Sequence, residues 1–99
     1  MLARAAKNNG EGRYSGAMEL VFYTRPGCTL CDKALAVVRQ SGFLRHHALR
    51  LVDILTDAEA FDLYQWEIPV LVLDGREILK GIVTPERFTA KMRELEISL

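Results

Sequence analysis

The sequence predicts a single α/β domain whose elements run βαβ and then αββα. Three observations carry that expectation. The run Leu20-Val21-Phe22-Tyr23-Thr24 is β-branched and aromatic, ends at Pro26-Gly27, and is succeeded by apolar residues at helical spacing. Further on, two apolar runs flank Asp74-Gly75, a dipeptide that supplies the positive φ angles of a type I′ hairpin turn. The chain has 99 residues, 49% hydrophobic and 26% charged, which fits one compact globular domain.

Taken in order, the first strand is apolar without alternation, as expected of a strand covered on both faces. The first helix is read from Leu30, Ala34, Val37 and Val38, with Gly42 of Ser41-Gly42 as its C′ stop. Residues 47–53 hold Leu49, Leu51 and Val52 and read as a second strand, with His46 and His47 at its solvent-facing start. Thr56-x-x-Glu59 fits a capping box that opens a short helix through Phe61 and Tyr64. Val70-Leu71-Val72-Leu73 and Glu77-Ile78-Leu79 form the hairpin. Thr84 and Pro85 then set the N-cap and first turn of a closing helix whose apolar stripe is Phe88, Met92 and Leu95.

Composition excludes several functions. Thirteen Lys and Arg balance thirteen Asp and Glu, so the basic footprint of a nucleic-acid binder is absent. Apolar runs such as Leu20 to Tyr23 and Val70 to Leu73 fall far short of the roughly 20 residues a membrane span requires. Residues 1–17 contain three of the seven glycines and share no helical or strand period with the residues after them, so they are expected to form a flexible arm ahead of a domain over 18–99. Arg4, Lys7 and Arg13 in that arm leave an organelle transit segment as its alternative reading; it has no apolar region of a secretory signal. A neutral small domain without an evident extra apolar face is expected to be a monomer.

Two cysteines, Cys28 and Cys31, are too few for a secreted disulfide scaffold and need a local explanation. A strand, a Pro-Gly turn and then Cys28-Thr29-Leu30-Cys31 opening a helix is an arrangement for thiol chemistry, because unpaired backbone N–H groups at a helix start favour a thiolate. Cys28 is the residue placed to ionise. Cys31 sits about one helical turn further in, near enough to attack a disulfide formed on Cys28. A zinc site would need two more ligands, and the adjacent His46 and His47 lack the spacing of paired histidine ligands, so no metal is expected.

A cysteine pair of this spacing in a βαβ setting is the mark of a thioredoxin-like redox motif. Tyr23-Thr24-Arg25-Pro26-Gly27-Cys28-Thr29-Leu30-Cys31, then Glu67-Ile68-Pro69-Val70, then Asp74-Gly75, all in order, resemble a glutaredoxin, and more narrowly the short glutaredoxin-like branch of the thioredoxin superfamily. The resemblance covers residues 19–95. It implies a thioredoxin-like four-stranded mixed sheet flanked by three helices, with Ile68-Pro69 in the cis form beside the cysteines. It also implies that Arg25, three positions before the first cysteine, binds the glycine carboxylate of glutathione, and that Ile68 pairs its backbone with the substrate like an added strand. Arg25 would in addition favour the Cys28 anion.

The match departs where the γ-glutamyl end of glutathione is fixed. Glutaredoxins show Gly-Gly followed by Ser-Asp or Asp-Asp, whereas this chain reads Lys80-Gly81-Ile82-Val83-Thr84-Pro85-Glu86, and only Gly81 corresponds. Thr29-Leu30 replaces the usual proline-aromatic pair between the cysteines. Thioredoxin's Trp before the first cysteine and its buried Asp are replaced by Gly27 and Phe22. Asp32 reads as dipole complementation at the helix start, with a proton role beside Cys31 as the alternative; Tyr64 and Trp66, near the end of a short helix, read as residues that finish the core, with lining of the substrate groove as the alternative.

The reading is a thiol-disulfide oxidoreductase with Cys28 as nucleophile and Cys31 as resolver, Arg25, Ile68, Pro69 and Gly81 binding substrate, no bound cofactor and glutathione as co-substrate. Its partners are a disulfide-containing protein or glutathione and a thiol reductant, and its expected location is the reducing cytoplasm. The alternatives are a module binding an iron-sulfur cluster or glutathione through Cys28, and a redox-silent thioredoxin-like interaction domain.

Overall fold

The computed structural model describes residues 16–99. Residues 1–15 of the expected arm therefore lie outside the described residues. The elements are β1 (Glu19–Thr24), α1 (Thr29–Gln40), β2 (Ala48–Asp53), α2 (Ala58–Tyr64), β3 (Val70–Leu73), β4 (Arg76–Lys80) and α3 (Pro85–Glu94), with 3-10 turns at Phe43–Arg45 and Ile54–Thr56. The sheet has the order β2-β1-β3-β4. β1 is parallel to β2 and antiparallel to β3, and β3 is antiparallel to β4. This is the mixed four-stranded sheet with three helices expected from the sequence.

Strand pairing determines which face each residue presents. Side chains alternate along β1, so Leu20 and Phe22 share one face and are fully buried, while Val21 and Tyr23 share the other. The first face forms the main core with Ala34 and Val38 of α1 and Phe88 and Met92 of α3. Phe43 packs edge-on against Phe88 with ring centroids 6.0 Å apart and ties the turn after α1 into the same core. The Tyr23 and Tyr64 rings meet at 4.7 Å, so α2 covers the opposite face. β1 is thus sandwiched, as its uninterrupted apolar run predicts.

Turn chemistry matches the sequence signals at most junctions. Asp74 and Gly75 both have positive φ, 54° and 77°, as a type I′ turn demands. Gly42 sits at φ 94° directly after the Ser41 cap of α1. Thr84 caps α3 by accepting the Arg87 N–H at 3.1 Å, with Pro85 at the first helical position.

The second helix corrects the expected capping box. Its N-cap is Asp57, whose carboxylate accepts the Ala60 N–H at 3.0 Å. Thr56 instead ends the preceding 3-10 turn and donates its hydroxyl to Asp53 O at 2.8 Å. The carboxylate one residue later reaches the orphan amide, and the threonine is spent locally. His46 is exposed at the start of β2 as expected, but His47 is drawn partly inside. Its Nδ1 accepts the Met18 N–H at 3.1 Å, and its ring lies 4.7 Å from that of Phe43.

Candidate functional site

The C-terminal end of β1 delivers the chain to Arg25, Pro26 and Gly27, and Gly27 turns it at φ 79° into α1. A side chain at that φ is strained even though nothing stands within 4 Å of a Cβ there, so the glycine is required by the backbone and not by crowding. Cys28 then forms the N-cap of α1 in an extended conformation, and its Sγ accepts the Cys31 N–H at 3.1 Å. Sulfur occupies the place that serine or aspartate oxygen takes in an ordinary cap, facing the positive end of the helix.

Cys28 and Cys31 are joined by a disulfide, with Cα atoms 5.2 Å apart. Their surroundings differ. Cys28 is partly exposed, whereas Cys31 is 1% exposed and belongs to the core with Ala34 and Phe22. Only the first sulfur is open to a large reagent; the second reaches the outside through the first.

The loop before β3 stands beside them. Ile68-Pro69 is cis, and Ile68 packs on the core cluster that contains Cys31 and is also touched by Cys28. Pro69 O accepts the Gly81 N–H at 2.9 Å, fastening this loop to the end of β4. Among the described residues, neither the N–H nor the C=O of Ile68 has a backbone partner. The Lys80 ammonium and Glu67 carboxylate, 3.2 Å apart and both half-exposed, add a second tie between the same two segments.

Residues 19–93 match the Glutaredoxin-like domain (DUF836). The chain belongs to this glutaredoxin-like family. Among solved structures it is similar to the structural-genomics target protein XcR50 from X. campestris, at 33% identity and TM-score 0.65 over 76% of this chain and 96% of that one. A malarial protein matches at 10% identity and TM-score 0.63, over 83% of this chain and 100% of the other. A point mutant of thioredoxin from Halobacterium salinarum matches at 18% identity and TM-score 0.52, over 85% of this chain and 80% of that one. These last two likenesses concern the fold alone. No curated protein matches.

In this glutaredoxin-like domain the other sequence-predicted site residues fall at the same end of the sheet. Arg25 is exposed and makes no ion pair among the described residues. Gly81 has φ 75° and its N–H is committed to Pro69 O, so it ties the end of β4 to the cis-proline loop. Thr84 is occupied in capping α3 and its hydroxyl is not turned toward a ligand. Among the described residues no group of three His, Cys, Asp or Glu is arranged to hold a metal, and no helix is long and apolar enough to cross a membrane.

One expectation is overturned. Trp66 does not finish the core; it is 89% exposed. Tyr64 does pack inward against Tyr23, and burial first, then the Glu77 carboxylate, push its phenol pKa above the usual 10.0. The helix ends between them: Gln65 N–H bonds Phe61 O and Glu67 N–H bonds Tyr64 O, so the chain turns and Trp66 projects off the helical face. Ile82, 61% exposed in the loop after β4, carries no periodic signal, which is why pattern reading does not find it.

Proposed function

We propose that the protein is a thiol-disulfide oxidoreductase that reduces protein or glutathione mixed disulfides. The observation that carries this reading is the unequal placement of two bonded sulfurs, Cys28 partly exposed at the head of α1 and Cys31 buried behind it. In the reduced protein the Cys28 thiolate attacks one sulfur of a substrate disulfide. That bond breaks, a mixed disulfide forms on Cys28, and the first substrate thiolate leaves and takes a proton from solvent. Cys31 then attacks Cys28 Sγ, its proton passing to the second departing thiolate, and the internal disulfide forms. The substrate has gained two electrons and the cysteine pair has lost them; an external thiol reductant returns them.

The neighbouring residues divide the work of binding. The free Ile68 N–H and C=O pair with the backbone of the substrate, Pro69 walls the site, and Gly81 holds the Pro69 loop in place. Arg25, outside any ion pair among the described residues, takes a carboxylate such as that of the glycine of glutathione and stabilises the Cys28 anion. No bound cofactor enters these steps. The protein acts as a monomer in the reducing cytoplasm, where a dithiol is maintained.

The test is to equilibrate the protein in glutathione redox buffers, quench with acid and read intact mass. A two-electron transition between dithiol and internal disulfide near the roughly −200 to −230 mV of glutaredoxins, or the roughly −270 mV of thioredoxin, supports the reading and identifies the matching reductant. A stable glutathione adduct on Cys28 points to glutathione as co-substrate. The absence of any transition in that range overturns it.

A further inference from the structure

Seven large apolar side chains are exposed among the described residues, and the sheet topology sorts them. β1, β2 and β4 end, and β3 begins, at one end of the sheet. Four of the seven lie in the segments at that end: Leu30 between the cysteines, Leu55 in the turn after β2, Trp66 before β3 and Ile82 after β4. Leu44 belongs to the turn that leads into β2 at the opposite end, Leu51 to edge strand β2, and Leu63 to α2. The end that carries Cys28 is therefore also the apolar end.

Two of these residues project from backbone that is anchored on both sides of the site. Trp66 stands two residues before Ile68, in a segment anchored by Glu67 N–H to Tyr64 O and by the ion pair of Glu67 with Lys80. Ile82 is next to Gly81, which is bonded to Pro69 O, and the Ile82 carbonyl itself accepts from Arg87 of α3. Trp66 at 89% exposure and Ile82 at 61% are apolar surface carried on anchored backbone, so a partner that buries them has little backbone to order.

We propose that Trp66, with Leu30 and Ile82, forms a docking rim that selects disulfides in apolar, extended protein segments over small polar ones. The occupant is set by what the site offers. Ile68 presents an unpaired N–H and C=O to an extended chain, which fixes the segment across Cys28. Two polar groups that could meet a charged tripeptide here are already committed, Thr84 to its helix and the Gly81 N–H to Pro69, while Arg25 is outside any ion pair among the described residues. An apolar segment beside the substrate cysteine would cover Trp66, whereas glutathione has no apolar side chain to do so. This inference rests on the oxidoreductase reading and specifies its substrate class.

Two substrates separate the two claims: insulin, a protein disulfide, and hydroxyethyl disulfide, a small uncharged one, each with dithiothreitol as reductant. With Trp66→Ala the ratio of kcat/KM for insulin to that for hydroxyethyl disulfide is expected to fall about tenfold, through KM, as for truncation of an aromatic anchor. Trp66→Phe restores most of the ratio, and Leu44→Ala, at the other end of the sheet, changes neither rate. Equal loss on both substrates, or no change on either, overturns the docking rim while leaving the oxidoreductase reading intact. A wild-type protein that reduces neither substrate overturns both. Trp66 is also the sole tryptophan, so its emission is a direct reporter. In Cys31→Ser, a mixed disulfide with a cysteine peptide flanked by leucines shifts the emission to the blue and one with glutathione does not. The same shift with both, or with neither, contradicts the proposal.

Discussion

The Cys31 N–H donates to Cys28 Sγ at 3.1 Å, so the outer sulfur serves at once as the cap of α1 and as the exposed half of the disulfide. The two duties are separable by substitution. Under reducing conditions Cys28→Ser keeps an acceptor at the cap and is expected to hold the stability of the wild type, while Cys28→Ala loses the cap at a cost of about 0.5 kcal/mol. Both abolish disulfide reduction. Thermal melts in dithiothreitol together with an insulin reduction assay check the pair of outcomes; activity in Cys28→Ser equal to that of the wild type removes the nucleophile assignment.

The contrast in exposure between the two cysteines predicts their order of reaction. Cys31 at 1% exposure is screened by the core, and Cys28 is open beside the Pro69 loop. Brief treatment of the reduced protein with iodoacetamide is expected to give a single adduct, mapped by peptide mass to Cys28. In Cys31→Ser the same accessibility leaves a mixed disulfide with no resolving thiol, so a glutathione adduct persists and is read as added mass. An adduct that maps first to Cys31 reverses the assignment of roles.

His47 couples both termini of the domain to pH. Its pKa is lowered from 6.5 by burial and, next, by the neighbouring His46, against an opposing hydrogen bond to the Ser98 backbone. The neutral ring is the form that accepts the Met18 N–H at Nδ1. Because the folded pKa lies below the unfolded value, the unfolded chain binds the proton first as pH falls. The stabilisation is complete above 6.5 and is lost as pH drops through the folded pKa. The melting temperature is expected to decline from about pH 7.5 to about pH 5.5 in the wild type, and the decline to flatten in His47→Gln and to lessen only in part in His46→Gln, which removes the smaller of the two causes. An unchanged slope in His47→Gln contradicts the linkage.

Periodicity and turn chemistry made most of the fold legible in the sequence. The buried run of β1, the Asp74-Gly75 turn and the Thr84-Pro85 helix start each express a local rule, and each appears where the sequence places it. The cysteine pair at the head of α1 is legible for the same reason, since strand, turn and helix start are adjacent in the chain. Positions fixed by distant contacts are not. His47 is drawn inward by Phe43 and Met18, which no spacing within residues 47–53 encodes. Trp66 is exposed because α2 stops at Tyr64, a matter of helix length and not of hydropathy. At the start of α2 the sequence pattern points to Thr56, and the structure gives the cap to Asp57, one residue later.

Asp57 accepts the Ala60 N–H at 3.0 Å, and Ala60 is buried on the α2 side of the sheet, so the cap fixes a helix that is only seven residues long. A helix so short has little stability of its own and depends on such caps and on packing. Asp57→Ala is expected to cost ~1 kcal/mol, which lowers the melting temperature by about 4–8 °C for a domain of this size. Thr56→Ala removes one exposed hydroxyl-to-carbonyl bond with Asp53 and is expected to cost under about 0.5 kcal/mol. The two melts, measured side by side, decide which residue starts the helix. The effect extends to function, because α2 runs through Tyr64 into Trp66 and Ile68: fraying it loosens the segment that faces Cys28. Asp57→Ala is therefore expected to raise KM for insulin as it lowers stability, and Thr56→Ala to change neither.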